Sequence, residues 1–139
     1  MTRRARTPGP RGLTEIARIA RDAREAAHAP FSGFKVGAAL RTRAGEIVTG
    51  CNVENASYGL TMCAERVAVF KAVSEGMRRF DAIAVVVDSP RPAAPCGPCR
   101  QILWEFCGDI WVHVANTRGQ SRTMRLSELL PLPFDRRNL

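Results

Sequence analysis

The sequence predicts an α/β domain of three layers, in which helices cover both faces of a mixed five-stranded sheet. The chain has 139 residues, 45% of them apolar, which is enough for one domain with its own core. Segments with helical apolar spacing interrupt short strand-like runs, in the order α-β-β-α-β-α-β-β-α. Strands separated by helices favour a sheet that is covered on both faces.

The first three elements are a helix and a hairpin. Residues 13–27 carry apolar side chains at helical spacing with charged ones opposite, and Pro30 follows their end. Residues 34–40 and 46–51 are predicted strands, and the turn at 43–45 contains a glycine, as hairpin turns commonly do.

The next helix, predicted over 63–75 and ended by Gly76, is apolar around most of its circumference between residues 64 and 73. An all-round apolar helix is buried on more than one side. A chain of this size cannot easily surround it, so we expect a second subunit to cover part of it.

The second half of the chain continues the alternation. A continuous apolar run at 83–87 is typical of a strand buried on both faces. Pro98 suits the first turn of a helix ending near 106. Strands at 111–115 and 122–124 are joined too closely for a crossover and should be antiparallel, and 126–130 is a last short helix.

The charge of the chain is concentrated at its start. Net charge is +8, and four of the arginines lie in residues 1–12, where there is no acidic residue. We interpret 1–12 as a disordered Arg-rich tail and 13–139 as a single domain. Basic and acidic residues are interspersed in the body, which disfavours a nucleic-acid partner. No apolar run approaches the roughly 18 residues of a membrane helix, so no membrane partner is expected.

Five cysteines are an odd number, and no export signal precedes them. This disfavours a disulfide framework and predicts reduced thiols in the cytoplasm that serve a metal.

Cys63, Cys96 and Cys99 are the predicted zinc ligands. Each stands at a predicted helix start, where unpaired N–H groups favour the thiolate. Three protein ligands leave the fourth tetrahedral position open for water. Glu65 stands two residues after Cys63 and can take a proton from that water. Together they form the zinc-deaminase signature in its all-cysteine form, which indicates hydrolysis of an amino group on a nucleobase.

Three thiolates on Zn²⁺ give the metal centre a net charge of −1, which weakens the metal as a Lewis acid. Arg66 is placed to donate hydrogen bonds to the sulfurs and to compensate that charge. Glu65, in a dry pocket, should have a raised pKa, as a proton shuttle near neutrality requires.

Two other interpretations stay open at this point. The first is a structural zinc site with a fourth protein ligand. Cys51 is the best candidate for that fourth ligand. Cys107 lies about 12 Å along the helix from Cys99, and both histidines fall in unrelated elements. The second is a zinc-stabilised nucleic-acid-binding module, which predicts salt-dependent binding that is indifferent to loss of Glu65.

Three segments (34–40, 50–66 and 95–103) resemble the homotetrameric zinc-dependent cytidine deaminases, and the resemblance extends from about residue 13 to Phe134. It implies deamination of cytidine and 2′-deoxycytidine to uridine and 2′-deoxyuridine with release of ammonia, a step of pyrimidine salvage. A zinc-activated water would attack C4 of the base, with one Zn²⁺ per subunit in a homotetramer. A deaminase for another base or for a nucleoside antibiotic is the alternative within the same chemistry.

The resemblance also assigns roles to individual residues. Those that match the family pattern are the zinc ligands Cys63, Cys96 and Cys99, the acid/base Glu65, the ribose-binding pair Asn52 and Glu54, Phe34 against the pyrimidine, the backbone of Ala64 at the base, and Tyr58 and Phe134 in a neighbouring subunit's pocket. The chain departs from the pattern at His28, Lys35 and Pro98, where tyrosine, proline and alanine are common.

Overall fold

The described part of the chain, residues 11–139 of a computed structural model, contains four α-helices and five strands. The helices are α1 (Leu13–Ala23), α2 (Ala64–Ser74), α3 (Gly97–Cys107) and α4 (Leu126–Leu129). The strands are β1 (Val36–Thr42), β2 (Ile47–Cys51), β3 (Phe80–Val87), β4 (Trp111–Asn116) and β5 (Ser121–Arg125). Apart from Arg11 and Gly12, the predicted tail lies outside the described residues.

The strands form one sheet in the order β2-β1-β3-β4-β5. Only the central pair β3 and β4 is parallel, because α3 carries the chain back across the sheet between them. The other three pairs within this sheet are antiparallel. The prediction of a mixed five-stranded sheet with an antiparallel last pair is therefore confirmed.

Helices cover both faces of this sheet. Side chains alternate along each strand, so that Ala82, Ala84 and Val86 of β3 face α1 while Ile83 and Val85 face the opposite side. That opposite side packs against α2 and α3 in the larger of the two hydrophobic clusters. The predicted three-layer architecture is confirmed.

Two glycines let the helices approach the sheet closely. A Cβ at Gly37 would lie 1.9 Å from the carbonyl oxygen of Ala20 in α1, and one at Gly50 would lie 2.4 Å from that of Ala64 in α2. Any side chain at either position would overlap helix backbone. The second contact fixes the start of α2 against β2.

The main differences from the sequence prediction are at element ends. Helix α1 stops at Ala23 and tightens into a 3₁₀ turn (Arg24–Ala26), where Arg24 Nε donates to the carbonyl of Lys35 at 2.9 Å. Strand β3 begins at Phe80, three residues earlier than predicted, because Phe80 is buried and pairs with Thr42. Both differences depend on partners that are distant in the sequence.

Helix α2 buries Ala64, Ala68, Val69 and Ala72 against the sheet. On its outer side Phe70 is 41% exposed and meets Phe106 of α3 edge-to-face, with ring centroids 6.1 Å apart. Among residues 11–139, no helix is long and apolar enough to cross a membrane.

Candidate metal centre and active site

The three predicted ligand cysteines meet between the starts of two helices. Cys63 precedes the first residue of α2, while Cys96 precedes α3 and Cys99 lies in its first turn. Their sulfurs lie within 4.8 Å of one another; Cys96 Sγ is 3.9 Å from Cys63 Sγ and 3.4 Å from Cys99 Sγ. Sulfurs at the corners of a zinc tetrahedron are about 3.8 Å apart, given Zn–S bonds of about 2.3 Å. The donor set therefore fits zinc.

In the part of the chain that the structure describes, this group of potential metal ligands has three members. Cys51, Cys107, His28 and His113, the residues considered as a fourth ligand, do not join it. Three sulfurs without a fourth side chain match a catalytic zinc site rather than a structural one.

Arg66 lies beside these sulfurs. Its Nη2 donates to Cys63 Sγ at 3.2 Å, while its buried Nε has no hydrogen-bond partner within the described part of the chain. A hydrogen bond from the Cys99 thiol, together with this guanidinium, lowers the pKa of Cys63 to about 5. The thiolate, the form that binds metal, is therefore stabilised at Cys63, whereas the same hydrogen bond and burial raise the pKa of Cys99.

Glu65 is buried one residue into α2, with 5% of its surface exposed. Burial raises the pKa of Glu65 to about 6, with a smaller contribution from the nearby Cys63 thiolate. Its carboxylate is not part of the three-sulfur group. A carboxyl with this pKa can accept and release a proton near neutrality.

A cavity of about 220 Å³ opens next to the sulfurs and Glu65. Its lining is mostly apolar, with Asn52 as one polar side chain; the lining residues are Phe34, Val36, Asn52, Thr61, Met62, Cys63, Ala64, Glu65, Val85, Val87, Ala93, Ala94 and Cys96. A larger groove of about 780 Å³ runs beside β5, but its lining includes none of the three cysteines. An apolar cavity beside a potential metal site suits a small planar substrate.

The predicted ribose-binding residues have partners within the chain. Asn52 Oδ1 accepts from the N–H of Val36 at 2.8 Å, and Asn52 Nδ2 donates to the carbonyl of Phe34 at 2.7 Å. The amide of Asn52 therefore braces the segment that carries Phe34. Glu54, which is not among the cavity-lining residues, accepts hydrogen bonds from the segment 31–32.

The structure does not bring Tyr58 and Phe134 into this cavity. Tyr58 is 76% exposed and touches Phe31, with ring centroids 6.2 Å apart. Phe134 is 61% exposed, and its backbone is held by the side-chain amide of Gln101 in α3. Both rings project from the single chain.

Sequence reasoning missed two residues that hold this arrangement. Ser32 binds the Glu54 carboxylate across 22 residues of sequence, and Gln101 binds the Phe134 backbone across 33. Both contacts depend on the tertiary fold, and no spacing rule within the sequence indicates them.

Comparison with known proteins agrees with this site. Residues 12–114 match the family "Cytidine and deoxycytidylate deaminase zinc-binding region". The chain is 53% identical to a cytidine deaminase of Halalkalibacterium halodurans over 109 residues, which cover 78% of this chain and 83% of that protein. It is 37% identical to a blasticidin-S deaminase of Bacillus cereus, over 73% of this chain and 77% of that one. Among solved structures, the cytidine deaminase of Burkholderia pseudomallei superposes with a TM-score of 0.84 at 49% identity, covering 87% of this chain and 98% of the other.

Proposed function

This chain belongs to the cytidine and deoxycytidylate deaminase family, and we propose that it hydrolyses cytidine and 2′-deoxycytidine to uridine and 2′-deoxyuridine with release of ammonia. The observation that carries the proposal is the three-sulfur group with Glu65 buried beside it at the wall of an apolar cavity. Zinc is the cofactor, and Cys63, Cys96 and Cys99 would hold it. Zinc with three protein ligands supplies Lewis-acid activation of water.

The chain's own residues do the remaining work. Glu65 accepts the first proton of the attacking water and delivers it to the ring nitrogen of the base. It then accepts the second proton of that water, now on the C4 hydroxyl, and passes it to the departing amine, so that ammonia leaves and the C4 carbonyl forms. Burial supports this role, because it places the pKa of Glu65 at about 6. Arg66 offsets the charge of the three sulfurs through its hydrogen bond to Cys63.

The cavity wall binds the nucleoside. Phe34 and the backbone of Ala64 contact the pyrimidine, and Asn52 and Glu54 bind the ribose hydroxyls. The positions of Phe34, Ala64 and Asn52 in the cavity lining support this assignment. An amide and a carboxylate together can donate to and accept from sugar hydroxyls.

We further propose a homotetramer in which Tyr58 and Phe134 enter the pocket of a neighbouring subunit. The exposed rings of both residues, and the exposed contact of Phe70 with Phe106, support it. Sedimentation velocity tests the mass, and a monomer with full activity would contradict the proposal. We place the activity in cytoplasmic pyrimidine salvage, which the five free thiols support.

The deciding experiment measures ammonia release from cytidine by the wild type and by Glu65→Gln, with zinc content determined in parallel. We expect Glu65→Gln to keep its zinc and to lose about 10²- to 10⁴-fold in kcat, the usual contribution of a general acid–base group. The matched control is Glu75→Gln, an exposed glutamate at the other end of α2, which should match the wild type.

Three results would contradict the proposal: a metal-free protein with full activity, retained turnover in Glu65→Gln, or no turnover of cytidine by the zinc-loaded wild type. Blasticidin S, the substrate named for the Bacillus cereus relative, belongs in the same assay as a competitor. A clear preference for it would replace cytidine as the proposed substrate.

A further inference from the structure

The segment 31–34 wraps around the carboxylate of Glu54. The backbone N–H groups of Phe31 and Ser32 donate to Glu54 Oε1 at 2.9 and 3.1 Å, and the Ser32 hydroxyl bonds to Glu54 Oε2. The N–H of Phe34 donates to the same hydroxyl oxygen at 2.9 Å. One hydroxyl group therefore lies between Glu54 and the backbone of Phe34.

The direction of these hydrogen bonds is fixed by the groups involved. A hydroxyl has one proton to donate, and an ionised carboxylate can only accept. The Ser32 proton therefore goes to Glu54, and the Ser32 oxygen accepts from Phe34. The bond to the carboxylate is charge-assisted and hence among the stronger kinds. It is also the main reason why the pKa of Glu54 is lowered.

The backbone of this segment is shaped for the contact. Gly33 has φ +67°, a left-handed conformation that turns the chain so that the N–H of Phe34 points back to the Ser32 oxygen. The N–H of Gly33 closes the turn on the carbonyl of Ala29 at 3.0 Å. The Glu54 backbone is fixed in turn, because its N–H donates to the carbonyl of His28 at 2.8 Å.

We infer that Ser32 is a positioning residue for the nucleoside: its single hydroxyl ties the carboxylate of Glu54 to the backbone of Phe34. The inference rests on the proposed function, in which Phe34 contacts the pyrimidine and Glu54 the ribose. Ser32, which itself touches neither base nor sugar, then helps to set the spacing between the base contact and the sugar contact, alongside the amide of Asn52 that braces Phe34. Among residues 11–139, Glu54 Oε2 accepts only this one bond, which leaves it capacity for a ribose hydroxyl.

The test compares two substrates that differ only in the sugar hydroxyls, cytidine and 2′,3′-dideoxycytidine. We expect Ser32→Ala to raise KM for cytidine about tenfold, the usual size for loss of a hydrogen bond to a charged group, with kcat within about threefold of the wild type. KM for the dideoxynucleoside should change much less, so that discrimination between the two substrates falls about tenfold. Ser32→Thr, which keeps the hydroxyl, should restore wild-type discrimination.

Two controls separate positioning from general damage. Ser74→Ala removes a comparable exposed hydroxyl bond, to the carbonyl of Lys71 at the end of α2, and should leave both substrates unchanged. In a Glu54→Gln background, adding Ser32→Ala should reduce the discrimination no further, because Ser32 acts through that carboxylate.

The outcomes distinguish this inference from the proposed function. Wild-type turnover of cytidine tests the function alone. The inference is overturned if Ser32→Ala leaves KM unchanged, if both substrates lose equally, if Ser32→Thr fails to restore discrimination, or if the Ser32 and Glu54 effects add independently.

Discussion

Replacing Gly50 with alanine should damage the active site through the start of α2. The added Cβ would lie 2.4 Å from the Ala64 carbonyl oxygen and 2.6 Å from the Ala68 nitrogen, whereas ordinary van der Waals contact begins at 3.4 Å. Both neighbours are backbone atoms and cannot rotate away. The start of α2, with Glu65 on it, must therefore move by about 1 Å relative to the sheet.

A displacement of this size has a calculable cost. Overpacking of this kind destabilises a fold by about 1–3 kcal/mol, and a 1 Å misplacement of a reacting group can lower the rate about 10²-fold. We expect Gly50→Ala to show both effects, in denaturant unfolding and in kcat/KM for cytidine. Gly37→Ala has a closer clash, 1.9 Å from the Ala20 carbonyl oxygen, but against α1, on the sheet face away from the metal centre. It should lose stability with little loss of activity in the protein that remains folded.

Gly59→Ala serves as the neutral control for stability, since no atom of residues 11–139 lies within 4 Å of its Cβ position. The reasoning is refuted if folded Gly50→Ala keeps kcat/KM within about threefold of the wild type, or if Gly37→Ala loses as much activity.

Three further changes have distinct readouts. Arg66→Gln should lower kcat or zinc affinity about 10- to 100-fold, the usual range for residues that bond to metal ligands, and Arg66→Lys should recover part of the loss. Wild-type kcat together with wild-type zinc affinity in Arg66→Gln would contradict the charge-compensation role. Burial raises the pKa of Cys107 to about 12. Its thiol should therefore resist iodoacetamide at pH 8 in the native protein and react once the protein is denatured, as measured by mass spectrometry. Rapid labelling of Cys107 in the native protein would contradict this expectation. Gln101→Leu removes both hydrogen bonds to the Phe134 backbone and should speed amide hydrogen exchange in residues 131–139, with little change in the sheet. Unchanged exchange would show that the segment is held by Trp104 alone, which donates to Asp135 at 3.0 Å.

The sequence pattern alone indicated the elements of the fold and the three-sulfur group. Apolar spacing located all nine elements to within a few residues, because the periods of helices and strands differ. The cysteines were recognisable since thiol ligands with a glutamate two residues on are a rare combination. Strand order was not predictable in the same way, because it depends on which apolar faces meet in three dimensions.

Finer features of the site depend on partners far apart in the sequence. Asn52 lines the cavity where a sugar is proposed to bind, and its amide also bonds to the backbone of Phe34 and Val36, which lie 18 and 16 residues away. The hydroxyl of Ser32 bonds to Glu54, which lies 22 residues away in the sequence. Such side-chain-to-backbone contacts have no periodic signature, so only the folded chain reveals them.

The direction of the strands divides the molecule into two poles. Strands β2 and β3 both lead towards the metal centre at their carboxyl ends, whereas the hairpin turn at 43–45 and the loop 75–79 lie at the opposite ends of their strands. Gly45 in that turn has open space around its Cβ position. This far pole is therefore the natural place for insertions, affinity tags or new chain termini that leave the catalytic pole untouched.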